Sequence, residues 1–187
     1  FAAQLRDPGA PVDRRYDAAV KERQLRGQFP VGVFAAAARK LDLEVLHRWR
    51  AGLGVISAEG ATRIGFGRAS SPGAELLPAL SLELPGGRTV RLVGQTELLV
   101  RGKRYTSIVP LLRKLEKRSH YHLRGVFDHL MLAAAGLATQ GHTHRVIDDL
   151  GNVCEVQHAP WTAGEARDYL AGLVTELIDQ PHGYLLP

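Results

Sequence analysis

The residues closest to a catalytic pattern lie on two neighbouring strand candidates in the middle of the chain. The first strand ends in Gly94-Gln95-Thr96-Glu97, and the second runs from Tyr105 to Pro110. A metal-dependent nuclease of this layout needs an acidic residue after the glycine and an acidic-x-Lys triplet on the next strand, to bind a divalent cation and activate water. Here the triplet position reads Ile108-Val109-Pro110. The pattern therefore predicts a strand pair without catalytic residues, on which Glu97 is a solvated strand residue.

Two histidine pairs have the spacing of possible metal ligands. His120 and His122, like His142 and His144, are two residues apart, which on a strand places both imidazoles on one face. Neither pair has a cysteine nearby, and the first pair falls at a predicted helix start, where such side chains diverge. We predict no metal site.

Two acidic groups could also be drawn as reactive sites. Asp128-His129 with Ser107 or Ser119 has the composition of a hydrolase triad, but adjacent helical residues point about 100° apart, so a surface pair is predicted. Asp148-Asp149 with Glu155 is the acidic cluster that could bind a metal, yet aspartates in a turn usually serve local hydrogen bonds. No catalytic residue is assigned.

Basic residues are concentrated in two places, in a chain whose formal net charge is +5. The first group lies on the turn between the two strands, and the second precedes the next helix. Such cations can contact a phosphate backbone, in which case affinity falls as salt rises. The DNA-contact candidates are Arg101, Lys103, Arg104, Lys114, Lys117 and Arg118.

Periodicity predicts the elements around these residues. Helices are expected from Asp13, the proposed N-cap, to Arg26; before Gly52; over 120–135; and from the capping box Thr162-x-x-Glu165 onwards. Strands are expected at 52–57, 62–67, 80–84, 90–92, 98–100, 105–109, 143–147 and 152–156, with the 80–92 hairpin in the central sheet. The second helix should pack Phe34, Ala38, Leu41, Val45 and Trp49 on that sheet, and the last should bury the apolar residues from Tyr169 to Ile178.

Three motifs occur in a fixed order along the chain. They are LRGQFPVGVF at 25–34, Val126-Phe127-Asp128-His129-Leu130 before Ala133 to Gly136, and Ala163-x-x-Ala166-x-x-Tyr169-Leu170 running to Tyr184-Leu185-Leu186-Pro187. In this order they resemble the C-terminal domain family of RecC, the gamma subunit of exodeoxyribonuclease V, the RecBCD helicase-nuclease.

The resemblance implies a degenerate restriction-endonuclease-like (PD-(D/E)XK nuclease-like) α/β core, with a mixed central sheet flanked by helices. It implies a non-catalytic scaffold and DNA guide in double-strand-break end processing and recombinational repair. RecB-like and RecD-like subunits and double-stranded DNA ends or forks would be its partners. ATP and Mg²⁺ are expected in the partner subunits and no cofactor in this domain, while Leu177 and Ile178 are the partner-contact candidates.

Composition sets further bounds. The chain has 187 residues, 45% of them hydrophobic, which suits one core-forming domain at 31–187 after an N-terminal helical arm at 1–30. It begins with Phe1 and is expected to be a fragment of a longer chain. The single cysteine, Cys154, is expected to be a half-buried strand thiol. No apolar run reaches the roughly 20 residues that span a bilayer, so no membrane contact and a bacterial cytoplasmic location are expected.

Two other functions stay open from the residues alone. The chain could be an active metal-dependent endonuclease that uses Glu97 with Asp128 or another carboxylate. It could also be a protein-interaction module that makes no DNA contact.

Overall fold

The structure is a computed structural model, and it describes residues 9, 11–54, 61–68, 73–112 and 119–180. Two helices form the N-terminal part of the fold. Helix α1 (Val12–Leu25) lies along helix α2 (Gly32–Leu53), where the Tyr16 hydroxyl donates to Asp42 at 2.7 Å and Arg39 pairs with Asp17. The predicted N-cap at Asp13 is wrong: Pro11 occupies the cap position and Asp13 lies in the first turn. A carboxylate there still favours the helix, because it faces the positive end of the helix dipole.

The apolar contacts of α2 with the central sheet come from its second half. Trp49 is buried and Val45 is partly buried, as predicted, whereas Phe34 is 74% exposed and Leu41 is 64% exposed. The α2 helix has 22 residues and reaches beyond the sheet it covers, so the predicted burial of Phe34 and Leu41 is wrong. The strand predicted at 52–57 is also wrong at its first two residues, which end α2; residues 55–57 lie outside the described part of the chain.

Ten strands and two more helices follow among the described residues. Helix α3 spans Ser119–Ala134 and helix α4 spans Ala163–Asp179. The strands are β1 (Ala61–Thr62), β2 (Ile64–Phe66), β3 (Glu75–Leu77), β4 (Leu80–Leu84), β5 (Arg88–Leu92), β6 (Gly94–Gln95), β7 (Leu98–Val100), β8 (Tyr105–Pro110), β9 (His142–Ile147) and β10 (Val153–His158).

The central sheet has five strands in the order β1-β7-β8-β9-β10. Strands β7 and β8 are antiparallel neighbours, helix α3 then crosses over, and β9 returns parallel to β8. Strands β1 and β10 close the two edges in antiparallel pairings. The predicted α/β class, with helices flanking a mixed central sheet, is confirmed.

Two smaller sheets lie beside the central sheet. Strands β4 and β5 form the predicted hairpin, in which Leu80 is opposite Leu92 and Leu82 is opposite Val90. This hairpin is a separate two-stranded sheet, so its predicted place in the central sheet is wrong. The third sheet has the order β3-β2-β6.

Side chains that alternate along the central strands separate two sides of the core. Leu98 and Ile108 pack with Trp49 of α2, whereas their neighbours Leu99 and Val109 belong to clusters that contain α3 residues. Helix α4 also packs on the α3 side, through Ala166 and Leu170. Side chains at 97, 99, 107 and 109 therefore share the face that α3 covers.

The predicted capping box starts α4. The Thr162 hydroxyl accepts from the Glu165 backbone N–H at 3.2 Å, and the Glu165 carboxylate accepts from the Thr162 N–H at 2.8 Å. Among the residues that the structure describes, no helix is both long and apolar enough to cross a membrane.

Candidate functional site

Helix α3 holds Glu97 just before β7. The Glu97 backbone N–H donates to both carboxylate oxygens of Asp128 at 3.2 Å, and the Glu97 side chain accepts from Arg124 at 3.1 Å. Only 21% of the Glu97 side chain is exposed, so its interpretation as a solvated strand residue is wrong. Arg124 could not be identified as its partner from sequence, because the two residues are 27 positions apart and Arg124 lies on α3.

The residues of β8 that share a face with Glu97 are not those at the ends of the predicted acidic-x-Lys triplet. Ile108 faces α2, so the residues of β8 on the Glu97 face are Ser107 and Val109 rather than Ile108 and Pro110. Neither pair includes a carboxylate or a lysine. The acidic-x-Lys chemistry is missing in both registers, and Glu97 has a salt bridge in place of a second acidic neighbour on β8.

A buried serine joins an acid to an imidazole next to this position. The Ser107 hydroxyl donates to Asp128 and lies 2.8 Å from Nε2 of His142, and both Ser107 and His142 are fully buried. Because the hydroxyl has one proton, His142 must donate through Nε2–H. In a hydrolase triad the imidazole stands between acid and serine, whereas here the serine stands between the other two. The geometry is that of a structural link.

Asp128 and His129 are not the predicted surface pair. They are 6% and 4% exposed, because α3 lies flat on the sheet and both residues are in its packed face. Burial raises the pKa of the Asp128 carboxyl to about 7, against the opposing effect of its hydrogen bonds from Ser107 and Glu97. The imidazole near Ser107 belongs to His142, not to His129.

Five imidazoles form a cluster between α3, β9 and β10. His129 stacks on His158 with 4.9 Å between ring centroids and on His142 with 5.9 Å, while His122 meets His144 edge-on at 5.8 Å. Burial lowers the pKa of His129 and of His144 to about 4, and that of His142 to about 3. The i, i+2 spacing of His142 and His144 correctly predicted that both imidazoles share one face of the strand, which is the face that α3 covers. His129 and His158 could not be linked to them from sequence.

These rings are not arranged as metal ligands. Stacked rings hold their nitrogens in parallel planes, so their lone pairs do not converge on one point. Within the described ranges, no three His, Cys, Asp or Glu side chains are placed so that they could hold a metal ion. The side chain of His120, from the other predicted pair, lies outside the described residues.

The acidic turn after β9 has the local role that was predicted. Asp148 is buried and accepts from the backbone N–H groups of Leu150 and Asn152 at 3.0 and 2.8 Å. Glu155 pairs with Arg145 at 2.6 Å across the β9–β10 pair. Cys154 is partly buried on β10, as predicted.

The three basic residues between β7 and β8 line one cleft. We call it the basic cleft; the turn after α3 forms its other wall, and its volume is about 210 Å³. Lys114, Lys117 and Arg118, the other predicted DNA contacts, lie outside the described residues. The lining residues are Arg101, Gly102, Lys103, Arg104, Tyr105, Leu137, Thr139, Gln140 and Gly141.

The predicted partner contacts lie beside an apolar groove. Leu177 is 57% exposed, Ile178 is 50% exposed and Tyr169 is 49% exposed, so the predicted burial of these three is wrong; the partner contact of Leu177 and Ile178 stays a prediction. They lie at the end of α4, where it forms a groove of about 480 Å³ with α3 and residues 92–96. This apolar groove is lined chiefly by Phe66, Leu92, Val93, Phe127, Met131, Leu170, Leu173, Val174 and Leu177.

Comparisons with known proteins add little. No family model matches the chain, and no curated protein matches it. Among solved structures, one titled "Crystal structure of SSO0001" is 14% identical with a TM-score of 0.37, over 97% of this chain and 76% of that one. A similarity at that level carries no conclusion about function.

Proposed function

We propose that this domain is a catalytically silent, nuclease-like domain of the RecC type, which serves as scaffold and DNA guide in an exodeoxyribonuclease V-like helicase-nuclease. One observation carries the proposal. The strand pair β7–β8 and its crossover helix follow the strand-turn-strand-helix order expected of a nuclease core, yet Ser107 and Val109 occupy the face where the acidic-x-Lys residues would lie.

The polar residues that remain at this position are engaged in holding the fold. The Glu97 carboxylate accepts from Arg124, and the Asp128 carboxylate accepts from Ser107 and from the Glu97 N–H. Metal-assisted phosphodiester cleavage needs carboxylates that are free to bind cations and to orient water. These contacts support a domain that keeps the nuclease architecture for another purpose.

DNA guiding rests on the basic cleft, and scaffolding rests on the apolar groove. Arg101, Lys103 and Arg104 present their charges on one surface at the β7–β8 turn, where phosphates could bind. Leu177 and Ile178 would meet a RecB-like or RecD-like subunit. In this proposal the partner subunits supply ATP hydrolysis and Mg²⁺ chemistry, and the complex acts on DNA ends in the bacterial cytoplasm.

Forked DNA tests the proposal directly. Binding and cleavage would be measured with Mg²⁺ or Mn²⁺ across a salt series, for the unchanged domain, Glu97→Ala and the triple variant Arg101→Ala, Lys103→Ala, Arg104→Ala. We expect binding that weakens with salt, a salt slope smaller by about 2 to 3 in the triple variant, and no cleavage. Arg91→Ala, an exposed cation on β5, is the single-charge control. Equal binding by the triple variant and the unchanged domain would remove the DNA-contact part of the proposal.

A second candidate is an active metal-dependent endonuclease. It is favoured by the position of Asp128, whose carboxylate lies 3.2 Å from the Glu97 nitrogen on the same face of the sheet. Cleavage in the same assay that disappears in Glu97→Ala would establish this candidate. A pure interaction module would instead bind partner subunits unchanged after the cleft charges are reversed.

A further inference from the structure

We infer that the basic cleft is a receptor for the terminal phosphate of a DNA strand, rather than a surface for the middle of a duplex. This inference deepens the proposed function and rests on it. It follows from the shape of the cleft, its balance of charge and the way its walls are fixed.

The size of the cleft limits what can enter. Its volume is about 210 Å³, less than half that of the apolar groove. A phosphate with part of its sugar fits in such a space, whereas a base-paired duplex does not. The cleft therefore has room for one phosphate group and not for several nucleotides.

Two of the three cations are held in position before any ligand arrives. Arg101 pairs with Glu75 and lies over the Tyr105 ring at 5.9 Å, and Arg104 donates to Gln157 at 3.5 Å. Lys103 has no hydrogen bond or ion pair within the described ranges. The Lys103 side chain can thus rotate toward a ligand, while the two arginines supply positive charge at fixed positions.

The charge of the cleft suits a phosphomonoester. Its neighbourhood holds four cations, Arg101, Lys103, Arg104 and Arg145, against the carboxylates of Glu75 and Glu155, which leaves an excess of two positive charges. A terminal phosphate carries about −1.5 to −2 charges at neutral pH, whereas an internal phosphodiester carries one. The excess therefore matches a strand end better than an internal phosphate.

The opposite wall supplies neutral hydrogen-bond groups on a fixed turn. Thr139 and Gln140 are exposed there, and the Gly141 N–H donates to Ala138 at 2.9 Å to close the turn. Gly141 has a φ of +81°, and a side chain on it would overlap the His158 carbonyl. The turn therefore holds the backbone of Thr139 and Gln140 opposite the cations.

Fluorescence anisotropy tests the inference with two single-stranded oligonucleotides of about a dozen nucleotides. They are identical except that one has a 5′-phosphate and the other a 5′-hydroxyl, and every strand is labelled on the same internal base. We expect about tenfold tighter binding of the phosphorylated strand, the effect of one added charge-assisted interaction. Inorganic phosphate should compete for the phosphorylated strand. A third strand with an unmodified 5′ end and a 3′-phosphate shows which terminus is recognised.

Two variants locate the effect in the basic cleft. Lys103→Gln removes the mobile cation, and Gln140→Glu adds a negative charge on the facing wall without changing a cation; both should abolish the preference for the phosphorylated strand. Arg91→Gln should retain it, and circular dichroism confirms folding of each variant.

The outcomes separate this inference from the proposed function. Equal affinity for all three strands, together with salt-dependent binding, would leave the DNA-guide proposal standing and overturn the terminal-phosphate inference. A preference that survives both cleft variants would overturn it as well. Binding of none of the strands would overturn the terminal-phosphate inference, and if forked DNA is not bound either, it would contradict the DNA-contact part of the proposed function as well.

Discussion

At the residue scale, the imidazole cluster should determine how the protein responds to acid. Burial lowers the pKa values of His129, His142, His144 and His158, and the charges that add to this effect are those of neighbouring imidazoles. These rings therefore bind protons more weakly in the folded protein than in the unfolded chain, where the histidine pKa is about 6.5. Their effect on stability is absent above that pH, and destabilisation grows as the pH falls toward about 4.

Asp128 acts in the opposite direction. Its pKa is about 7 in the fold against about 3.9 in the unfolded chain, so it costs stability as the pH rises through that interval. The four imidazoles together have a larger effect than the single carboxyl. We therefore expect the free energy of unfolding to decrease from pH 6.5 to pH 4. Asp128→Asn should steepen that decrease, because it removes the opposing contribution.

His129→Phe tests the cluster directly. Phenylalanine keeps a flat ring against His158 and Trp161 but cannot be protonated, so the variant should lose less stability between pH 7 and pH 4. Because burial lowers the pKa of His129 from 6.5 to about 4, the variant should retain at most about 3 kcal/mol of the free energy of unfolding that the unchanged protein loses over this pH range. Urea unfolding at a series of pH values measures it, with exposed His47→Phe as control. A parallel pH profile for His129→Phe and the unchanged protein would show that this ring does not take part.

At the scale of elements, the contact between α3 and β9 allows no added volume. A methyl group on Gly125 would overlap the imidazole of His144, which is fully buried. The Gly125→Ala change should therefore push the helix from the sheet, at a cost of about 1–3 kcal/mol. Gly172→Ala on α4 is the matched control: nothing lies within 4 Å of its added methyl group, so higher helix propensity should stabilise it by up to about 1 kcal/mol. Thermal unfolding should give a lower Tm for Gly125→Ala and a higher Tm for Gly172→Ala than for the unchanged protein.

Elements with a local pattern could be predicted from sequence, and contacts between elements could not. The alternation of Leu80, Leu82 and Leu84 predicted β4, and Thr162 with Glu165 predicted the start of α4, because neighbours along the chain determine both. The acidic-x-Lys triplet was assigned one residue too late on β8, because Ile108 and Val109 are equally apolar and only the positions of α2 and α3 decide which side each faces. The stack of His129 on His158 joins a helix to a strand far apart in sequence, which no periodicity encodes.

At the scale of the whole molecule, the two candidate surfaces lie at different parts of the fold, so they can be tested separately. The basic cleft is built from the β7–β8 turn and the turn after α3, whereas the apolar groove is built from α4, α3 and residues 92–96. They share no lining residue. Changes in the cleft should therefore affect DNA binding alone, and changes in the groove should affect subunit association alone.

The apolar groove leads to the last prediction, which concerns assembly. Leu177 lines the groove and Ile178 follows it in the chain; both are at least half exposed, and burying a leucine or isoleucine side chain completely stabilises an interface by about 1.5–3 kcal/mol. Leu177→Gln with Ile178→Gln should weaken association with a RecB-type or RecD-type subunit at least about tenfold, without loss of thermal stability. Leu123→Gln is the matched control, because Leu123 is 54% exposed on α3 and does not line the groove. Titration of the labelled domain with each subunit measures the effect. If Leu123→Gln weakened association as much as the double change, the partner would lie on another surface of the domain, because only the double change removes apolar area from the groove.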